Sequence, residues 1–220
     1  MDDIKLRTCF SFVVFTLAGM AAALLTLCVP MTRLLSYSNP LGSLFFGASM
    51  ALCLWLFFAL RSIRKTVIFL LGSFVAAVAG ILSSIYVTGD VFGPGPSGLL
   101  TEPVAFTGGF VGAFVLVAAA LSCFSNRSVG PLIQSTGWAL AGGVFAALGS
   151  ASGDWFERIR SQVQFMRQGE LGMALNRWRG EELGLLLIWQ TGMGLVIALA
   201  VWFQQKSTRA MPSSVAGDPG

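Results

Sequence analysis

Long stretches without a single Asp, Glu, Lys or Arg constrain this chain more than any other feature. Six can be read directly: Thr8–Val29, Leu41–Leu60, Thr66–Val87, Val104–Phe124, Leu132–Ala151 and Leu183–Phe203. About 20 apolar residues, rising ~1.5 Å each in a helix, cross the ~30 Å hydrocarbon layer of a bilayer. In lipid a helix satisfies all its own peptide groups, whereas an open strand leaves them unpaired. A membrane β-barrel would need ~10-residue alternating segments, and the sequence has none. The expectation is an all-α, polytopic transmembrane bundle of about six spans.

Composition agrees. Of 220 residues, 55% are hydrophobic and 11% charged, against roughly 25% charged in a soluble domain. The expected organisation is one transmembrane helical domain over 1–205, followed by a disordered polar tail at 206–220. Lys5 and Arg7 precede the first run as they would in a signal peptide. That run is longer than the ~7–15 residues usual for a cleaved signal, so an uncleaved first span is expected.

Boundary residues fit the same plan. Ser38, Asn39 and Pro40 provide a cap and a first-turn proline for the second span. Arg61, Arg64 and Lys65 suit its carboxyl end. Glu181 and Glu182 suit the positive start of the last span, and Trp202 with Lys206 marks its exit at the interface. Thr88–Pro103 is rich in glycine and proline, lacks Lys and Arg, and reads as a non-cytoplasmic loop.

Orientation carries a conflict. With a cytoplasmic N-terminus, Lys5, Arg7, Arg61, Arg64, Lys65, Arg127, Lys206 and Arg209 lie inside. Arg33, Arg158, Arg160, Arg167, Arg177 and Arg179 then lie outside, a weak bias. If the glycine-rich fifth segment re-entered instead of crossing, the Ser152–Glu182 connection would stay inside. The location expected is the plasma (inner) membrane.

Within that connection, residues 154–179 form an amphipathic segment. Trp155, Ile159, Val163 and Met166 recur at helical spacing, and Leu171, Leu175 and Trp178 make a second stripe. Apolar stripes, tryptophans and arginines together describe helices lying in the membrane interface. Trp155, Arg158, Arg160, Arg167, Arg177, Trp178 and Arg179 form a candidate docking surface for anionic lipid or a partner subunit. Each basic residue there is worth about 1 kcal/mol against an anionic surface, enough to hold the segment down without a specific ligand.

Small residues recur every four positions: Gly72, Ala76, Gly80 and Ser84 on the third span, Gly108 and Gly112 on the fourth. Ala139, Gly143 and Ala147 repeat the pattern on the fifth, and Gly194 with Ala198 on the sixth. Such ridges let helix backbones approach where lipid is as apolar as leucine. The third and fourth spans are expected to make the closest contact.

Chemistry is sparse. No span contains an ionisable Asp, Glu, Lys or Arg, which argues against a proton-coupled pump. Gln190 and Thr191 are the most polar spot in an apolar span, suited to interhelical hydrogen bonding or solute contact. There is no histidine, which removes His-ligated haem or zinc and His-dependent triads for a chain acting alone. Cys9, Cys28, Cys53 and Cys123 form no CxxC pair. The run Gly149-Ser150-Ala151-Ser152-Gly153 puts alanine where a nucleophile elbow needs serine. No cofactor, metal site or nucleic-acid module is expected.

The sequence thus supports a multi-pass membrane protein, with lipid and other membrane subunits or itself as partners. It reads as a non-catalytic subunit, scaffold or assembly factor of a membrane complex. One alternative is a small transporter or channel for a neutral or lipidic solute. Another is a membrane enzyme whose carboxylates Glu102, Asp154 or Glu181 converge at the interface.

Overall fold

A computed structural model describes residues 3–28, 40–58, 60–87, 102–124, 130–166 and 180–210. These residues form seven helices and no strand. They are α1 (Asp3–Cys28), α2 (Pro40–Phe58), α3 (Ile63–Val87), α4 (Glu102–Ser122), α5 (Gly130–Ala151), α6 (Gly153–Met166) and α7 (Gly180–Ala210). Five of them contain stretches long and apolar enough to cross a membrane: Thr8–Thr26, Ile63–Val87, Glu102–Ser122, Leu132–Ala151 and Leu183–Ser207. The apolar stretch of α2, Ser43–Phe58, is shorter. The whole of α2 has 19 residues and rises about 28 Å.

The long helices form a closed circuit. Each packs on the next, α1 on α2, α2 on α3, α3 on α4, α4 on α5, α5 on α7, and α7 returns to α1. Neighbours run antiparallel. Along α3 the positions 72, 80 and 84 meet 119, 108 and 104 of α4, and along α4 the positions 109 and 113 meet 146 and 142 of α5. α7 also touches α2, α4 and α6, so it is the shared wall of the bundle.

The core follows. Phe15 and Ala22 of α1, Met50 and Leu54 of α2, Leu116 and Val117 of α4, and Met193, Ile197 and Val201 of α7 are fully or almost fully buried. Outward faces carry large apolar residues, including Leu17, Leu52, Leu71, Leu82 and Leu140. A soluble protein would not expose so continuous an apolar girdle. These are the faces a bilayer covers.

The fifth segment forms a single helix, and one boundary expectation changes. α5 is uninterrupted from Gly130 to Ala151 and runs antiparallel to both α4 and α7, so the re-entrant reading finds no turn to carry it. Arg64 and Lys65 fall in the first turn of α3 rather than at the end of α2. The dipole there disfavours cations by only about 0.3–1 kcal/mol, and both side chains are exposed. α4 packs closely on both α3 and α5, and more extensively on α5. Pro40 opens α2; Ser38, Asn39 and the loop 88–101 lie outside the described residues, as does 211–220.

Candidate functional site

Polar groups inside an apolar bundle are where function is sought first, because each needs a partner. Among the described residues, the buried polar side chains are Ser11, Thr26, Ser73, Ser135, Ser150 and Gln190, none of them charged. Several hydroxyls turn back onto their own helix. Ser11 donates to Thr8 O at 2.7 Å, Thr26 to Ala22 O at 2.8 Å, Ser73 to Phe69 O at 3.0 Å and Ser135 to Leu132 O at 2.8 Å. Each of these bonds lies within one helix, where a hydroxyl finds a ready backbone acceptor.

Three bonds between helices sit near the ends of the bundle. The Ser84 hydroxyl donates to Val104 O at 3.3 Å, joining α3 to the start of α4. At the opposite end the Cys123 thiol reaches Lys65 O at 3.4 Å, and the Gln205 amide donates to Phe58 O at 3.4 Å. Burial pushes the Cys123 thiol above its ordinary pKa, and the Lys65 ammonium partly offsets the shift.

The middle of α7 holds the polar pair Trp189 and Gln190. Gln190 is 4% exposed. Gly19 brings α1 against the Gln190 carbonyl and within 3.1 Å of Thr191 Cα, both measured from a built β-carbon. One turn on, Gly194 admits the backbone of Phe15 in the same way. Thr191 is half-buried at this seam. Trp189 faces the other way. Its indole fills the notch left by Gly109 and Gly112, with built β-carbons 3.3 Å from Nε1 and 3.5 Å from Cζ2. Its ring meets Phe46 of α2 at 6.2 Å. The indole Nε1 of Trp189 and Oε1 of Gln190 are buried without a hydrogen-bond partner. Trp189 escapes a reading of the sequence by polarity alone. The available signal is an indole N–H in mid-span, which needs an acceptor.

Glycine contacts also explain how α4 is enclosed. A β-carbon on Gly80 would stand 2.8 Å from the Gly108 carbonyl oxygen, and one on Gly112 would stand 3.2 Å from Ala76 O. Gly72 meets Ala119. So Gly108 and Gly112 face α3, while Gly109 faces Gly142 and Ala146 of α5. Backbones this close gain dispersion contacts that bulkier side chains would prevent.

The second candidate region is the α5–α6–α7 corner. The Ser152 N–H donates to Leu148 O at 3.0 Å, and Phe156 N–H donates to Ser152 O at 3.2 Å, so helical bonding continues through the junction. Gly149 packs on Gly184, and Gly184 in turn meets Ser152 and Phe156, which pins α6 to the start of α7. Phe156 therefore faces the bundle, a role the apolar stripe through Trp155 and Ile159 does not announce. Trp155 is 60% exposed, and Arg158 and Ile159 are exposed beside it. Arg160 lies on α6. Arg167, Arg177, Trp178 and Arg179 lie outside the described residues.

Glu102 and Asp154 open α4 and α6 and are exposed; Glu181 lies in the first turn of α7. No group of three His, Cys, Asp or Glu that could hold a metal occurs among the described residues. No protein-family model, curated protein or solved structure matches this chain.

Proposed function

We propose that this multi-pass membrane protein is a non-catalytic subunit, scaffold or assembly factor of a membrane complex. One observation carries the reading: the helices hold together through glycine-to-backbone contact, while the buried hydroxyls of Ser11, Ser73 and Ser135 bond back onto their own helices. Such an interior invests its polar groups in local order rather than in lining a path or an acid–base site.

The proposed orientation has a cytoplasmic N-terminus in the plasma (inner) membrane. In the alternating arrangement, Lys5 and Arg7 of α1, Arg61 between α2 and α3, Arg64 and Lys65 in the first turn of α3, and Lys206 and Arg209 of α7 gather at one end. Basic residues in short connections favour the cytoplasmic side. Six crossings are the proposed count, since α2 lies antiparallel between α1 and α3 and has nearly the length required.

The test is purification from its native membrane in a mild detergent, with the mass of the intact complex measured. The expected result is a defined assembly larger than one chain, either with itself or with a partner. A lipid-bearing monomer as the sole species overturns the proposal.

A second reading, passage of a neutral or lipidic solute, is favoured by the unpartnered Trp189 Nε1 and Gln190 Oε1. It requires that Gln190→Leu abolish solute flux in proteoliposomes while leaving the assembly intact.

A further inference from the structure

The outer face of α6 is built differently from its inner face. Inward, Phe156 seats against Gly184 of α7. Outward, an exposed indole and an exposed isoleucine, Trp155 and Ile159, flank Arg158 on one turn of helix. Trp155 stacks edge-on against Phe156 with ring centroids 4.9 Å apart, which steadies the indole from the protein side.

Position says what covers this face. The candidate span of α5 ends at Ala151, and α6 begins two residues later. The candidate span of α7 begins at Leu183, beside the Gly184 that holds Phe156. α6 is thus fixed at the depth where two apolar stretches meet the polar layer. Its exposed apolar residues also continue a lipid-facing surface: Val144 and Leu148 are exposed along α5, and Trp155 follows Leu148 by two helical turns through a junction whose hydrogen bonds persist.

Charge narrows the occupant further. Within α6, Arg158 and Arg160 are matched one for one by Asp154 and Glu157. Anionic-lipid capture draws on net positive charge, and this segment has none. A tryptophan with an apolar neighbour prefers the carbonyl and head-group layer irrespective of lipid charge.

We infer that Trp155 and Ile159 seat α6 in the interfacial layer of the bilayer, against zwitterionic phospholipid, as a depth anchor for the α5–α7 end of the bundle. The surface is not an anionic-lipid receptor, and it is not the site where a partner subunit docks.

The experiment uses the full chain in phosphatidylcholine vesicles. Its six tryptophans are handled by subtracting the emission of Trp155→Phe from that of the unaltered protein. The difference emission is then quenched by lipids brominated near the head-group end of the acyl chain, by lipids brominated near its methyl end, and by aqueous iodide. Shallow bromines are expected to quench about twofold more strongly than deep ones. Adding phosphatidylglycerol is expected to change nothing. Dominant quenching by iodide would place Trp155 in water and overturn the inference, and so would emission reached by no quencher, which would place it under protein. Bromine quenching that arises only with phosphatidylglycerol present would overturn the zwitterionic assignment.

Discussion

Gly109 of α4 stands against the indole of Trp189 in α7, and a β-carbon built on the glycine would lie 3.3 Å from Nε1. The same β-carbon would run into the side chain of Ala146 and stand 2.9 Å from the Gly142 carbonyl oxygen. Three helices therefore converge on one missing methyl group. Gly109→Ala is expected to lower stability by about 1–3 kcal/mol, the usual cost of overfilling a packed site. Gly137, on the same α5 that Gly109 contacts, has nothing within 4 Å of its built β-carbon. Gly137→Ala is expected to hold or raise stability by about 0.5 kcal/mol through helix propensity. Unfolding in mixed micelles compares the two, and equal effects would show that the α4–α5–α7 junction is not tightly closed.

The unpaired indole N–H gives a second expectation. Removing a buried donor that has no acceptor relieves a penalty of about 1–3 kcal/mol, offsetting the packing lost with the smaller ring. Trp189→Phe should therefore remain within about 1 kcal/mol of the unaltered protein in thermal unfolding. A loss far beyond that would mean the N–H is bonded in the membrane.

Cys123 provides a pH-dependent readout just beyond the end of α4. Because burial raises its pKa and Lys65 lowers it, the reactive thiolate forms only above the pH of an ordinary thiol, and less far above while the ammonium is present. Lys65→Gln removes the favourable charge, so the alkylation rate against pH should move to higher pH. Mass spectrometry of maleimide labelling at Cys123 measures this. A curve moving to lower pH would contradict the assignment.

Gln205 ties the last turns of α7 to the final carbonyl of α2 through its bond to Phe58 O. Gln205→Leu should leave global stability within about 1 kcal/mol, since one neutral bond contributes that much or less. It should speed hydrogen exchange at the end of α2, read by peptide-resolved exchange. Unchanged exchange would show that the bond does not hold that end.

The helices themselves are legible because hydrocarbon imposes one solution on any uncharged run of sufficient length. Which helix meets which is far less so. α1, α2 and α4 are apolar almost all round, so periodicity cannot separate a lipid face from a protein face when both surroundings are equally apolar. The glycines of α4 illustrate the gap. Spacing picks out Gly108 and Gly112, and these do face α3, but the neighbouring Gly109 opens the more extensive contact with α5. Gln190 is conspicuous by its amide, whereas Trp189 passes for an apolar residue although its N–H is also buried without a partner. On α6 Trp155 and Ile159 of the stripe face outward, and the inward contact falls to Phe156, which lies off that stripe.

The seam between Gly19 and Gln190 joins α1 to α7, far apart along the chain. During synthesis the surface of α1 around Phe15, Gly19 and Ala22 must therefore wait, uncovered by its permanent neighbour, until α7 leaves the ribosome. Insertion of the early helices can proceed in order, but closure of the circuit cannot begin before α7 arrives. A ribosome that stops short of Gln190 would leave a membrane-inserted chain with an open flank, the kind of surface that quality-control proteases and chaperones inspect.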